Sequence, residues 1–236
     1  MQEKTYLWLE DKEGKSSYTF WKRFMSLLFP EVIVESKKNN SGLVKAVKNI
    51  EDNNKYIVMM DNSFDNPEVF RELSRLKKYA AGKNVVIVNL ICFEYILLEF
   101  ADLINWIYAE NDELKNRRGA VINVRNLLVD NFLKGNLDYK QMKEIAEYDT
   151  AIQQHNIEQL SAKLLFDLTR NTGFEVSKGT LGECWLVTCC EWNERQDDDI
   201  CGLDKLRLNI VEKMKTIYNK TSLKVELTKA GLEVIV

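Results

Sequence analysis

Residues 1–110 predict an α/β fold, a parallel Rossmann-like sheet flanked by helices, and three observations carry that expectation. Short apolar runs alternate with amphipathic stretches in the order β-α-β-α-β-α-β-α, which implies right-handed crossovers between parallel strands. The central run, YIVMM within Tyr56–Asp65, is continuously apolar, as a strand buried on both faces of a parallel sheet must be. Three of the runs are followed closely by acid: Glu10, then Asp61 with Asp65, then Glu94.

Taken in order, Thr5–Glu10 (TYLWLE) reads as the first strand and ends in a carboxylate. The loop DKEGKSS leads to a helix with Phe20, Phe24, Leu27 and Leu28 on one face, for which Ser16 and Ser17 are candidate caps. Val32–Ser36 reads as the second strand, and Ser41 as the cap of a helix through GLVKAVKNIED. The strand ending at Asp61 is third. Pro67 suits the first turn of the next helix, with Asp65 or Asn66 as its cap. Asn84–Asn89 reads as the fourth strand, and LICFEYILLEF opens a helix running toward Tyr108.

The composition bounds the function. At 236 residues and 45% hydrophobic, the chain can form one large or two small domains with a proper core. A net charge of −3 argues against a generally basic nucleic-acid binder but leaves room for a local basic patch. There is no run of 18 apolar residues, and MQEKTYLWLE lacks the form of a signal peptide, so a cytoplasmic protein with no membrane partner is expected. With a single histidine, His155, in the chain, histidine-based acid–base chemistry has little material. His155 itself reads as a surface residue of a helix.

In open parallel sheets, ligands gather at the carboxyl ends of strands. Carboxylates converging there are oxygen ligands suited to Mg²⁺ or Mn²⁺. Asp61 and Asp65 alone would serve equally as cap and turn residues. Glu10 with the loop after it, the aspartates after the third strand, and VNLICFEYILLEF together resemble a TOPRIM domain, most closely the small RloB-like TOPRIM proteins of bacterial phage-defence loci. Asn89, Cys92, Phe93, Glu94, Leu97, Leu98 and Phe100 carry the most specific part of that likeness. The resemblance implies catalytic Glu10, Asp61 and Glu94, with Asp65 as a further metal ligand. It implies a Mg²⁺-dependent nuclease acting in anti-phage defence, a nucleic-acid substrate and a companion ATPase. It leaves Glu13 as the alternative to Glu10, since the family's glutamate precedes a glycine. The family's aspartates are spaced DxD where this loop reads DNSFD, so a non-cleaving binding or sensor subunit is the alternative function. Lys12, Lys15, Lys37 and Lys38 fall in loops, where they could neutralise phosphate or simply face solvent.

Residues 1–112 thus read as a TOPRIM-like domain, and 113–236 as a mainly helical region with a cysteine-rich segment. Glu110–Arg118 reads as a connector, and Asn123–Lys134, Tyr139–Arg170 and Asp204–Tyr218 as helical. Four of the five cysteines, Cys184, Cys189, Cys190 and Cys201, fall within 18 residues. They fit either a structural Zn²⁺ site with four sulfur ligands or a set of buried or redox-active thiols; the spacing C-x4-CC-x10-C matches no familiar finger. SLKVEL and LEVIV, around Ala230-Gly231, read as two short strands and predict a C-terminal hairpin.

Overall fold

A computed structural model describes residues 3–108, 112–148, 156–189 and 208–234. Four strands, β1 (Thr5–Leu9), β2 (Val32–Ser36), β3 (Lys55–Asp61) and β4 (Val85–Leu90), form an all-parallel sheet in the order β2-β1-β3-β4. β3 is central, and its five middle residues are buried, as its unbroken apolar run requires. Alternate side chains feed two apolar layers. Leu7, Leu9, Ile57, Met59, Val88 and Leu90 point to one face, where α1 (Ser16–Leu28) packs with Phe20, Trp21 and Phe24. Trp8, Tyr56, Val58 and Met60 point to the other, against Leu43, Val44 and Val47 of α2 (Asn40–Lys48) and Val69, Leu73 and Leu76 of α3 (Pro67–Ala80). The connection after β1 therefore runs over one face and those after β2 and β3 over the other. The order in which strands are added reverses between β1 and β3, and the crevice at such a switch point opens outside the carboxyl ends of those strands.

The caps differ in detail from expectation. Asn39, not Ser41, caps α2 by accepting the Gly42 N–H at 2.7 Å. At α3 the choice between Asp65 and Asn66 falls to Asn66, which accepts the Glu68 N–H at 3.0 Å. Neither Ser16 nor Ser17 caps α1: both are buried in its first turn, and the N-cap position is Lys15. The helix after β4 is broken. α4 (Phe93–Glu99) stops at Phe100, and α5 (Leu103–Tyr108) restarts three residues later. The buried Arg125 closes that break, its guanidinium donating to Leu98 O at 2.7 Å and Phe100 O at 2.9 Å.

The second half is helical: α6 (Asp112–Arg117), α7 (Gly119–Leu133), α8 (Lys143–Tyr148), α9 (Ile157–Thr169), α10 (Ile210–Asn219) and α11 (Leu223–Lys229). The stretch expected as a plain connector thus carries α6. The expected C-terminal hairpin is absent among the described residues, and SLKVEL forms α11 instead. Leu223 and Leu227 are buried while Val225 between them is 55% exposed, so the apolar period is four, not two. α11 lies along the edge strand β4, and Glu226 Oε2 accepts the Asn89 N–H at 3.1 Å. One apolar core joins both halves: the sheet face under α1 is continuous with Leu160, Leu164 and Leu168 of α9 and with Met214, Ile217 and Tyr218 of α10.

Candidate functional site

The carboxyl end of the sheet gathers the acids. Glu10 follows β1 directly, and its Oε1 accepts the backbone N–H of Asp61, the last residue of β3, at 2.9 Å. Glu94 sits in the first turn of α4, just past β4. Two carboxylates not singled out from the sequence join them. Asp11 is the next residue after Glu10, and Glu158 comes from the first turn of α9, whose N-terminus docks against this edge. Asp11, Asp61 and Glu158 line both of two adjoining clefts. The larger, about 780 Å³, adds Glu10 and runs toward Arg71 and Arg75 on α3. The smaller, about 340 Å³, adds Glu94 and is flanked by Lys15 and Lys178.

Burial acts in the same direction on all five carboxyls. Burial, more than any neighbour, pushes the Glu10 carboxyl up to about 8; Asp11 and Glu158 add to the rise, and the Asp61 N–H opposes it. Burial likewise raises Asp61 well above the usual carboxylate range, reinforced by the charges of Glu10, Glu94, Asp11 and Glu158. Glu94 is pushed up to about 7, again chiefly by burial. Asp11 and Glu158 are raised for the same first reason, with Ser17 and Ser63 respectively opposing it by hydrogen bonding. All five side chains remain half-buried, so each keeps an open edge toward the clefts.

Glu13 is exposed and lines neither cleft, which leaves Glu10 as the strand-end glutamate. Asp65 has a different task. It accepts the Tyr139 hydroxyl at 2.6 Å and the Ile157 N–H at 3.2 Å, and Lys140 pairs with it at 3.2 Å. It thereby ties the loop after β3 to the start of α9. Among the loop lysines, Lys15 faces the smaller cleft, whereas Lys37 is held by Glu35 at 2.7 Å over the Trp8 ring.

The donor set suits a hard divalent cation by its chemistry: side-chain oxygens and several negative charges, with Lys15 and Lys178 flanking one cleft and Arg71 and Arg75 at the side of the other. It is not a ready-made cage, since among the described residues no three His, Cys, Asp or Glu side chains stand in ligating geometry. Of the cysteines proposed for zinc, Cys184 and Cys189 are half-buried and in no disulfide, and Cys184 Sγ lies where a side chain at Gly173 would have to go. Cys190, Cys201 and His155 lie outside the described residues. Cys92 is buried, and its sulfur accepts the Tyr95 N–H at the start of α4. No helix among the described residues is long and apolar enough to cross a membrane. No protein-family model, curated protein or solved structure matches this chain.

Proposed function

We propose that this chain is a TOPRIM-like, Mg²⁺- or Mn²⁺-dependent phosphodiesterase acting on RNA or DNA, a nuclease of the kind used as an anti-phage effector beside a companion ATPase. The observation that carries the reading is the meeting of Glu10, Asp61 and Glu94 at the switch-point edge of a parallel sheet, with Asp11 and Glu158 alongside. Glu10, Asp61 and Glu94 would hold the cation. Such a cation, when bound, neutralises phosphate charge and lowers the pKa of a water. The chain's own groups supply the rest. A glutamate of this edge left off the cation would act as general base, a role that needs no histidine. Lys15 and Lys178 face the smaller cleft, where they would meet phosphate oxygens.

Replacing Asp61 by Asn keeps the shape and the backbone bond to Glu10 but removes a strand-end charge. Activity against a Mg²⁺-supplied single- or double-stranded substrate should fall on the order of a thousandfold. Thermal melting should show the variant as well folded as the parent. A folded D61N protein with undiminished cleavage would sink the proposal. The second reading, a binding or sensor subunit that kept the fold without the chemistry, is favoured by the absence of a preformed ligand cage among the described residues. Under that reading D61N changes neither cleavage, which is absent throughout, nor Mg²⁺ affinity.

A further inference from the structure

The two ends of α9 face different cavities. Its first turn reaches the acidic edge through Glu158, and its C-cap residue, Arg170, lines a separate cavity of about 420 Å³. At 1.5 Å per residue the two ends lie about 18 Å apart. The second cavity is walled by Arg117, Arg118 and Arg170, with Tyr108 and Leu114 as its apolar side. The volume is within the roughly 300–1,000 Å³ of small-molecule sites.

The charges around it do not balance. Arg117 pairs with Glu113 along exposed α6. Arg170 reaches Asp167 only at 3.9 Å, and that carboxylate is already held by Lys163 at 2.6 Å and by the Tyr148 hydroxyl. Arg118 has neutral oxygens for partners: the Arg170 carbonyl at 3.5 Å and the hydroxyl of Tyr108, which itself donates to Leu168 O. Among the described residues, Arg118 thus has no carboxylate partner and Arg170 only a distant share of Asp167. Like charges held around one cavity repel each other, and a ligand carrying two or more negative charges relieves that repulsion. The planar guanidinium matches phosphate oxygens two at a time.

We infer that this cavity is an anion site for the di- or triphosphate group of a small ligand, with Arg118 and Arg170 as its principal partners. Pyrophosphate and a nucleoside triphosphate share that chemistry. The apolar side formed by Leu114 and Tyr108 has room beside the phosphates for a nucleoside. The site is independent of the acidic edge and stands whether or not the chain cleaves nucleic acid.

Calorimetric titration of the full chain in EDTA, which keeps cation-bridged phosphate away from the carboxylates, tests it with three probes. Sodium pyrophosphate and ATP should bind and adenosine should not. Equal affinity for the two phosphates assigns recognition to the anion alone, and tighter ATP binding adds the apolar wall to it. Arg118→Gln with Arg170→Gln should weaken both by tenfold or more, while Asp61→Asn leaves them unchanged. Should the Gln pair melt early, Arg118→Lys with Arg170→Lys keeps the charge and loses the fork, and should give an intermediate loss. Absence of binding, adenosine binding as well as ATP, or Gln and Lys pairs that bind like the parent would overturn the assignment.

Discussion

At Glu10 the surroundings oppose ionisation, and the sign of the effect on stability follows. Its folded value of about 8 lies above the ordinary 4.5, and Glu94 moves in the same direction to about 7. A group raised in this way stabilises the fold below its unfolded pKa and withdraws that contribution as pH rises through the folded value. The metal-free protein should therefore lose melting temperature steadily between about pH 5 and pH 8. Glu10→Gln keeps an oxygen for the Asp61 N–H and removes the titration. In EDTA at pH 8 it should be more stable than the parent by about 1–2 kcal/mol, with a flatter pH profile; each pK unit is worth about 1.4 kcal/mol before solvent screening of a half-buried group. A Gln variant that melts lower at pH 8 would show that the carboxylate is stabilised where it sits. The gain expected on deleting a charge is the mark of a site held under strain for function.

Among the elements, α9 owes its position to Asp65. That side chain accepts the Ile157 N–H at the helix start and the Tyr139 hydroxyl from the turn ahead of α8. Asp65→Ala leaves the Ile157 N–H unmatched and should destabilise the chain by about 1–3 kcal/mol in denaturant unfolding. It should also weaken any Mg²⁺ binding, because Glu158 is the next residue along the docked turn. Full stability in the Ala variant would mean that α9 is fixed by packing alone. The same helix marks the limit of what the sequence discloses. The four strands and the acids at their ends were legible because each signal is local: an apolar run, then a carboxylate. Glu158 is not local. It reaches Asp61 from 97 positions later through the packing of α9 against α4, and only the Asn156 cap ahead of it announces a helix start. Asp11 was overlooked beside the more conspicuous Glu10. At α11 the pattern itself misled, since Leu223, Val225 and Leu227 satisfy a period of two as well as leucines four apart satisfy a helix.

On the scale of the whole molecule, the sheet and the helical half share a core. Phe24 and Phe29 meet Tyr218 of α10 with ring centroids 6.5 and 6.0 Å apart, and α11 covers the β4 edge. A fragment ending at residue 112 would expose that face and an unpaired strand edge. It should aggregate or melt without a cooperative transition, whereas the full chain unfolds in one; a soluble, cooperatively melting fragment would establish an autonomous N-terminal domain. The orientation of α9 within this core has a further consequence. A helix carries partial positive charge at its start and partial negative charge at its end, each worth about 0.3–1 kcal/mol to a suitable neighbour. α9 sets its positive pole among the carboxylates and its negative pole beside Arg118 and Arg170. It thus eases the crowding of like charge at both sites with one peptide dipole. Laid the other way round, the same thirteen residues would aggravate both.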